Sequence, residues 1–145
     1  GHKGVWMVVR MVRNLPRDVQ LVFAGGGRER SVVESHVRRR GLGDRVRIVG
    51  EPTPAQWSVL YREATLVVMP VRWNEPVGIE GLAAMAHGKP VVAFDTEGIR
   101  DWLVPGETGV LVPFGDGAAF RDEVCSLLAD SARLQSMGRR AREVW

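Results

Sequence analysis

The feature that most restricts the fold of this chain is a pair of continuous apolar runs, Leu66-Val67-Val68-Met69 and Val91-Val92-Ala93-Phe94. A strand with one face in water alternates apolar and polar residues. A run with no polar member needs both faces covered, as when helices pack on either side of a parallel sheet. The rest of the chain supplies such helices. Val5, Met7, Val8, Met11, Val12 and Leu15 recur at helical spacing and stop at Pro16. A β-branched and aromatic run at 19–24 predicts a strand that ends at Gly25-Gly26-Gly27. A polar helix is expected from about 29 to 40, closed by Gly41, then a strand at 46–49 and a helix from Pro54 to about 64. A helix over about 79–87 is closed by Gly88, a fifth strand covers 109–112, and residues 116–145 read as two helices broken near Asp130-Ser131.

Strand, loop and helix repeated in this way predict an open, doubly wound α/β parallel sheet over residues 1–145, a single domain. Such a sheet normally begins with a strand, and this chain begins with a helix. Either the expected fold lacks its first strand or another segment fills that place. An unfilled slot leaves unpaired backbone groups, so self-association through an open sheet edge is expected.

Composition excludes several classes. No apolar run approaches the roughly 18 residues that a membrane span needs, and no signal-peptide layout opens the chain, which predicts a cytoplasmic protein without a transmembrane segment. The one cysteine, Cys125, lies in a predicted amphipathic helix with no His/Asn pattern around it, so it reads as a small core residue. The net charge is +3 and almost all of the positive charge is arginine, the lysines being Lys3 and Lys89. The densest basic run, Arg38-Arg39-Arg40, closes a helix, where cations complement the carbonyl end of the dipole. Nucleic-acid binding needs basic residues interleaved with aromatics on one face, and no such pattern is present. His2, His36 and His87 show no metal-ligand spacing, and no Ser/His/Asp set accompanies a nucleophile elbow.

Ligands of open α/β sheets sit beyond the carboxyl ends of the strands, so the loops there carry the functional signal. The richest is Val71-Arg72-Trp73-Asn74-Glu75-Pro76-Val77-Gly78-Ile79-Glu80-Gly81. Gly78 at a helix entrance lets a ligand approach N–H groups that have no intrahelical partner, and Glu75 is placed to accept hydrogen bonds from vicinal hydroxyls. A plain strand-to-helix turn with an exposed glutamate fits the same residues. The loop at 96–101 sets Gly98 among polar residues, which suits close contact with a ligand and equally a tight turn. Gly25-Gly26-Gly27 is a flexible anion nest by composition, without the third glycine and the acidic residue of a dinucleotide fingerprint. Gly50-Glu51-Pro52-Thr53 leads into a helix and can present backbone groups to a flat base, whereas 106–109 reads as a turn.

Taken together, Asn74-Glu75-Pro76-Val77-Gly78-Ile79, Ala84-Met85-Ala86-His87-Gly88-Lys89-Pro90 and the strand ending at Asp95 resemble the donor-site signature of family 4 retaining glycosyltransferases of the GT-B fold. Gly98-Ile99, Asp101-Trp102-Leu103 and Gly106-Glu107-Thr108-Gly109 continue the resemblance, as do the segments around 15–25 and 44–50, so nearly the whole chain is covered. The resemblance implies a Rossmann-like, C-terminal donor-binding domain that takes a nucleotide-diphospho-sugar as substrate and needs no metal or other cofactor. It also implies an N-terminal domain that supplies the acceptor, without which the chain alone turns nothing over. By position it gives Glu75 the donor-sugar hydroxyls, and Gly78 and Ile79 the sugar or its phosphate. It gives Lys3 the pyrophosphate, and the backbone after Gly50 the nucleobase; Gly25, Gly26 and Gly98 line the same cleft. One departure stands out. The family's second glutamate, which holds the ribose hydroxyls, falls on Ala83; either Glu80, three residues earlier on the same helix, reaches the same space, or the donor site is weakened or altered. A non-catalytic, degenerate binding or scaffold module is the alternative function, and a sugar-nucleotide epimerase a weaker third that the 85–90 context argues against.

Overall fold

The computed structural model describes residues 2–25, 28–70 and 78–144, with the side chains of all but residues 2, 3, 5, 28 and 29. Helix α1 (His2–Met11) runs into a 3-10 turn, Val12–Asn14, just ahead of Pro16. Strand β1 (Leu21–Ala24) leads to α2 (Arg28–Arg40), β2 (Val46–Val49), α3 (Pro54–Glu63) and β3 (Val67–Met69). Then follow α4 (Ile79–Ala86), β4 (Val91–Phe94), a short α5 (Glu97–Arg100), β5 (Gly109–Val112), α6 (Gly117–Leu128) and α7 (Ser131–Val144). Local chemistry accounts for the boundaries. Gly41 and Gly88 take positive φ after α2 and α4, as a left-handed cap requires. Thr53 and Gln56 form a reciprocal capping box with Pro54 at the first helical position of α3. Asp116 Oδ1 and Asp130 Oδ1 accept from Ala119 N and Arg133 N at the starts of α6 and α7, which explains the break at Asp130-Ser131.

All strand pairs are parallel, in two ladders: β1 with β2, and β3-β4-β5. Period-two alternation across the second ladder produces two cores. Val68, Val92, Phe94, Val110 and Val112 face one cluster with helices α1, α2, α6 and α7. Val67, Met69, Val91, Ala93 and Leu111 face the other, with Tyr61, Ala84, Ile99 and Leu103. Every residue of β4 is buried, as its continuous apolar run demands. Strand β3 is less covered, with Val67 and Val68 only half-buried. The reason lies in the ladders: no hydrogen-bond ladder joins β1 to β3 among the described residues, although Leu21, Phe23 and Val68 share one core. The sheet order is thus 2-1, a break, then 3-4-5, and the break falls where the strand order reverses.

Three expectations need correction. The first strand begins at Leu21 rather than 19, because Val19 N donates to Pro16 O (3.0 Å) and closes a turn there. The third strand begins at Val67 rather than 66. The segment at 96–101, read as a loop, contains a single helical turn, because Ile99 and Leu103 are buried in the second core and draw the backbone round.

Candidate functional site

The carboxyl ends of the strands on either side of the break carry the sequence-predicted residues in two groups. On the β1–β2 side, Gly25 N donates to Val49 O (3.2 Å), which sets Gly25 and Gly50 on adjacent strand ends. Gly25 holds φ 129, a conformation that L side chains rarely adopt. Arg30, in the first turns of α2, lies over Gly50. A Cβ at Gly50 would come within 3.0 Å of Arg30 Nη1, and Arg30 Nε donates to Glu34 Oε1 (2.9 Å). Arg30 was not singled out from the sequence; its signal was the i,i+4 spacing to Glu34.

On the other side, Gly78 is the N-cap of α4 with φ 75 and ψ 56. Gly81 N and Leu82 N both donate to Gly78 O (3.0 and 3.2 Å), so the N–H groups ahead of them begin the helix without intrahelical acceptors. Ile79 is 71% exposed, unusual for a large apolar residue, and Glu80 is exposed beside it. Gly78 itself is buried, while the first turn after it is exposed and carries the positive dipole end and an acidic residue. Gly78 cannot be replaced without cost, since a Cβ would lie 3.1 Å from Trp102 Cζ2 and 3.2 Å from Met69 Cε. Gly81, quoted in the motif but given no role, is tighter still: its Cβ would lie 2.2 Å from Trp102 Cη2. The α4 backbone thus rests directly on the indole, and that contact fixes where the helix entrance points. Gly98 is buried in α5, beside Ile99, whose Cγ1 lies 3.6 Å from the same Gly78 position.

Two polar features at the end of β4 were missed in sequence. Thr96 is 4% exposed, and its Oγ1 is buried with no hydrogen-bond partner among the described residues. Arg100 Nε donates to Asp95 Oδ1 at the same strand end. Behind α4, His87 stacks on Tyr61 (5.1 Å between centroids), which stacks in turn on Trp57 (5.9 Å). His87 Nδ1 lies 2.8 Å from Ala83 O; a carbonyl only accepts, so Nδ1 carries the proton. Tyr61 Oη donates to Glu80 O (3.1 Å). The stack clamps α3 to α4 and holds the helix that starts at Gly78, while Ala83 is half-buried within it. Among the described residues, no three His, Cys, Asp or Glu side chains come together as a metal site would need.

Glu75 and Gly26 lie outside the described residues, as does the side chain of Lys3. The α1 backbone that carries Lys3 begins at the functional end of the sheet, because the helix feeds β1 at the opposite end. Cys125 is half-buried between α6 and α1, its thiol directed at Asn14 O (3.4 Å), in keeping with a packing role. No helix among the described residues is long and apolar enough to cross a membrane.

Residues 1–144 match the family model described as glycosyl transferases group 1. The chain is 33% identical over 145 residues to a D-inositol 3-phosphate glycosyltransferase of Corynebacterium diphtheriae, covering 94% of this chain and 34% of that protein. It is 34% identical over 143 residues to the alpha-D-kanosaminyltransferase of Streptomyces kanamyceticus, covering 97% and 37%. Among solved structures, sucrose-phosphate synthase from Thermosynechococcus elongatus superposes with a TM-score of 0.88 at 35% identity, covering 99% of this chain and 37% of that one. Anabaena HepE in complex with UDP and glucose matches with the same TM-score at 22% identity, covering 98% and 40%, which shows the shared fold. The chain spans about a third of the length of these curated relatives. The fold is that of a GT-B glycosyltransferase domain, and the chain belongs to the glycosyl transferases group 1 family.

Proposed function

We propose that this chain is the nucleotide-sugar-binding domain of a retaining glycosyltransferase, with the donor lying across the break between β1 and β3. The observation that carries the reading is the entrance of α4. A left-handed Gly78 there leaves free N–H groups and an exposed Ile79 at the carboxyl end of the sheet, beside the point where strand order reverses. Helix N-termini at such points receive phosphate and hydroxyl groups. The unpaired Thr96 hydroxyl supports the same reading, since an orphaned buried hydroxyl costs about 1–3 kcal/mol that a polar ligand or loop atom relieves.

In this reading Gly25 and Gly50 form a ledge for the nucleoside, and the α4 N-terminus meets the donor sugar or its phosphate. Glu75 holds the sugar hydroxyls, and Lys3 neutralises the pyrophosphate. Charge builds on the departing nucleoside diphosphate as the glycosyl bond breaks. Fixed N–H dipoles and a lysine stabilise it without reorganising, which is what lowers the barrier. The acceptor is held by the remaining two-thirds of proteins of this type, so binding, not turnover, is the property to measure on this chain. Relatives are named for D-inositol 3-phosphate, phosphatidyl-myo-inositol or lipopolysaccharide core biosynthesis, and a phosphorylated or lipid-linked acceptor is the corresponding proposal for the whole protein.

Calorimetric titration with UDP, GDP, ADP and their hexose conjugates tests the reading. Saturable binding of one nucleotide class is expected, unchanged by EDTA and lost in Glu75→Ala for the sugar conjugate. If Glu80 replaces the family's second glutamate, Glu80→Ala weakens binding several-fold, on the order of one lost hydrogen bond. Absence of binding to every nucleotide would reject the donor-site reading in favour of a non-catalytic module.

A further inference from the structure

We infer, on the donor-site reading above, that Arg30 selects the nucleobase and that it selects guanine, so that the donor is a guanosine-diphosphate sugar. That reading gives the base to the ledge at Gly25 and Gly50, and Arg30 is the side chain that reaches it. Arg30 Nη1 stands 3.0 Å, and Cζ 3.7 Å, from the point that a Gly50 Cβ would occupy. Glycine at 50 therefore admits the guanidinium to the end of β2, and any side chain there would push it aside. Because Nη1 comes nearer than Cζ, the group meets the ledge with the end of its fork rather than lying flat on it.

Arg30 is held in that pose from its own helix. Its Nε donates to Glu34 Oε1 (2.9 Å), one turn along α2. With the Arg30 side chain 45% exposed, the pair adds little stability. Its effect is positional: it engages Nε and leaves the Nη1–Nη2 end of the fork as donors at the ledge. Two parallel donors with no acceptor match the base edge that carries two adjacent acceptors, which is the O6/N7 edge of guanine. Adenine sets its N6 amino group beside N7, so one arginine N–H would face another donor. Uracil offers O4 alone and can take one bond of the two. The expected order is guanine, then uracil, then adenine. An arginine that only attracted the diphosphate would weaken every nucleotide equally when removed.

The test is calorimetric titration of the chain with GDP, UDP, ADP and 7-deazaguanosine diphosphate, in which carbon replaces N7 and nothing else changes. GDP should bind about tenfold more tightly than ADP, the scale of one bidentate arginine–guanine contact. The 7-deaza compound should bind about fivefold more weakly than GDP, as for one lost hydrogen bond. Arg30→Met, at an exposed position, should melt as the parent does and bring GDP, 7-deaza-GDP and ADP within twofold of one another. Arg30→Lys, which keeps the charge without the fork, should recover only part of the GDP preference. Binding of ADP or UDP as tight as that of GDP would overturn the inference and leave the donor site standing. So would an Arg30→Met loss of the same factor for every nucleotide, which would make Arg30 a counter-charge for the diphosphate. Absence of binding to all four would reject the donor-site reading and this inference with it.

Discussion

Gly138→Ala asks whether the tertiary structure or the helix propensity governs α7, because the two predict opposite signs. Gly138 is interior to α7, and by propensity alone replacing an interior helical glycine with alanine stabilises by about 1 kcal/mol. The structure sets Gly138 against the turn after α4. A Cβ there would lie 2.4 Å from the carbonyl oxygen of Gly88, a distance that real contacts do not show. The obstacle is backbone, at a residue held at φ 68, so it cannot rotate away as a side chain would. Helix α7 must move outward by more than half an ångström, yet Met137 and Ala141 on either side are 2% and 0% exposed and locked in place. Overpacking of this kind costs about 1–3 kcal/mol, and a rigid obstacle favours the upper end. After subtracting the propensity gain, the net loss is about 2 kcal/mol, or a midpoint lower by about 5–10 °C for a domain of this size. Urea titration followed by far-UV circular dichroism measures it, with Gly117→Ala as the comparison, since its obstacle is the flexible end of Met7 and the cost there is small. A Gly138→Ala protein as stable as the parent or more so would refute the close α4–α7 contact.

Three further outcomes follow from other parts of the molecule. Arg45 donates to the carbonyls of Val12, Leu15, Pro16 and Val19 at 2.9–3.3 Å, closing the end of α1 onto β1. Arg45→Ala should therefore cost about 2 kcal/mol in urea titration, and Arg45→Lys, which lacks the fork, should recover only part of it. His36 has its folded pKa lowered from about 6.5, so the unfolded chain binds the proton more readily. Stability contributed by the neutral imidazole is fully present above the unfolded value and is lost as pH falls below it towards the folded pKa. Melting temperatures recorded between pH 7 and pH 5 should fall accordingly, and His36→Asn should flatten that slope. Among the described residues no ladder joins the edges of β1 and β3, so light scattering coupled to gel filtration should show concentration-dependent association of the chain. A strict monomer at all concentrations would indicate that the edges are covered.

Much of the architecture was legible because its signals are local. The buried run at 91–94, the Gly41 and Gly88 caps, the Thr53 start of α3 and the Asp130 break each depend on neighbours within a few residues. The α5 turn was not legible, since its glycine and polar residues describe a loop equally well and only the burial of Ile99 and Leu103 decides otherwise. Within the candidate site, Gly78 and the helix after it could be read from the motif. Thr96 and Arg30 could not, because an orphaned hydroxyl and a guanidinium lying over a glycine are defined by what surrounds them.

The sequence by itself determined the family, the parallel α/β class and the identity of the loops beyond the strand ends, because hydrophobic period, cap residues and motif spacing are written along the chain. The tertiary structure decided where those loops meet. It splits the sheet between β1 and β3 and sets Gly25 and Gly50 on one side and Gly78 with Gly98 on the other. It also decided which glycines are indispensable. Gly81 against Trp102, Gly109 against Val91 O and Gly138 against Gly88 O look alike in sequence to any other glycine, and only the distance to a distant backbone or ring distinguishes them.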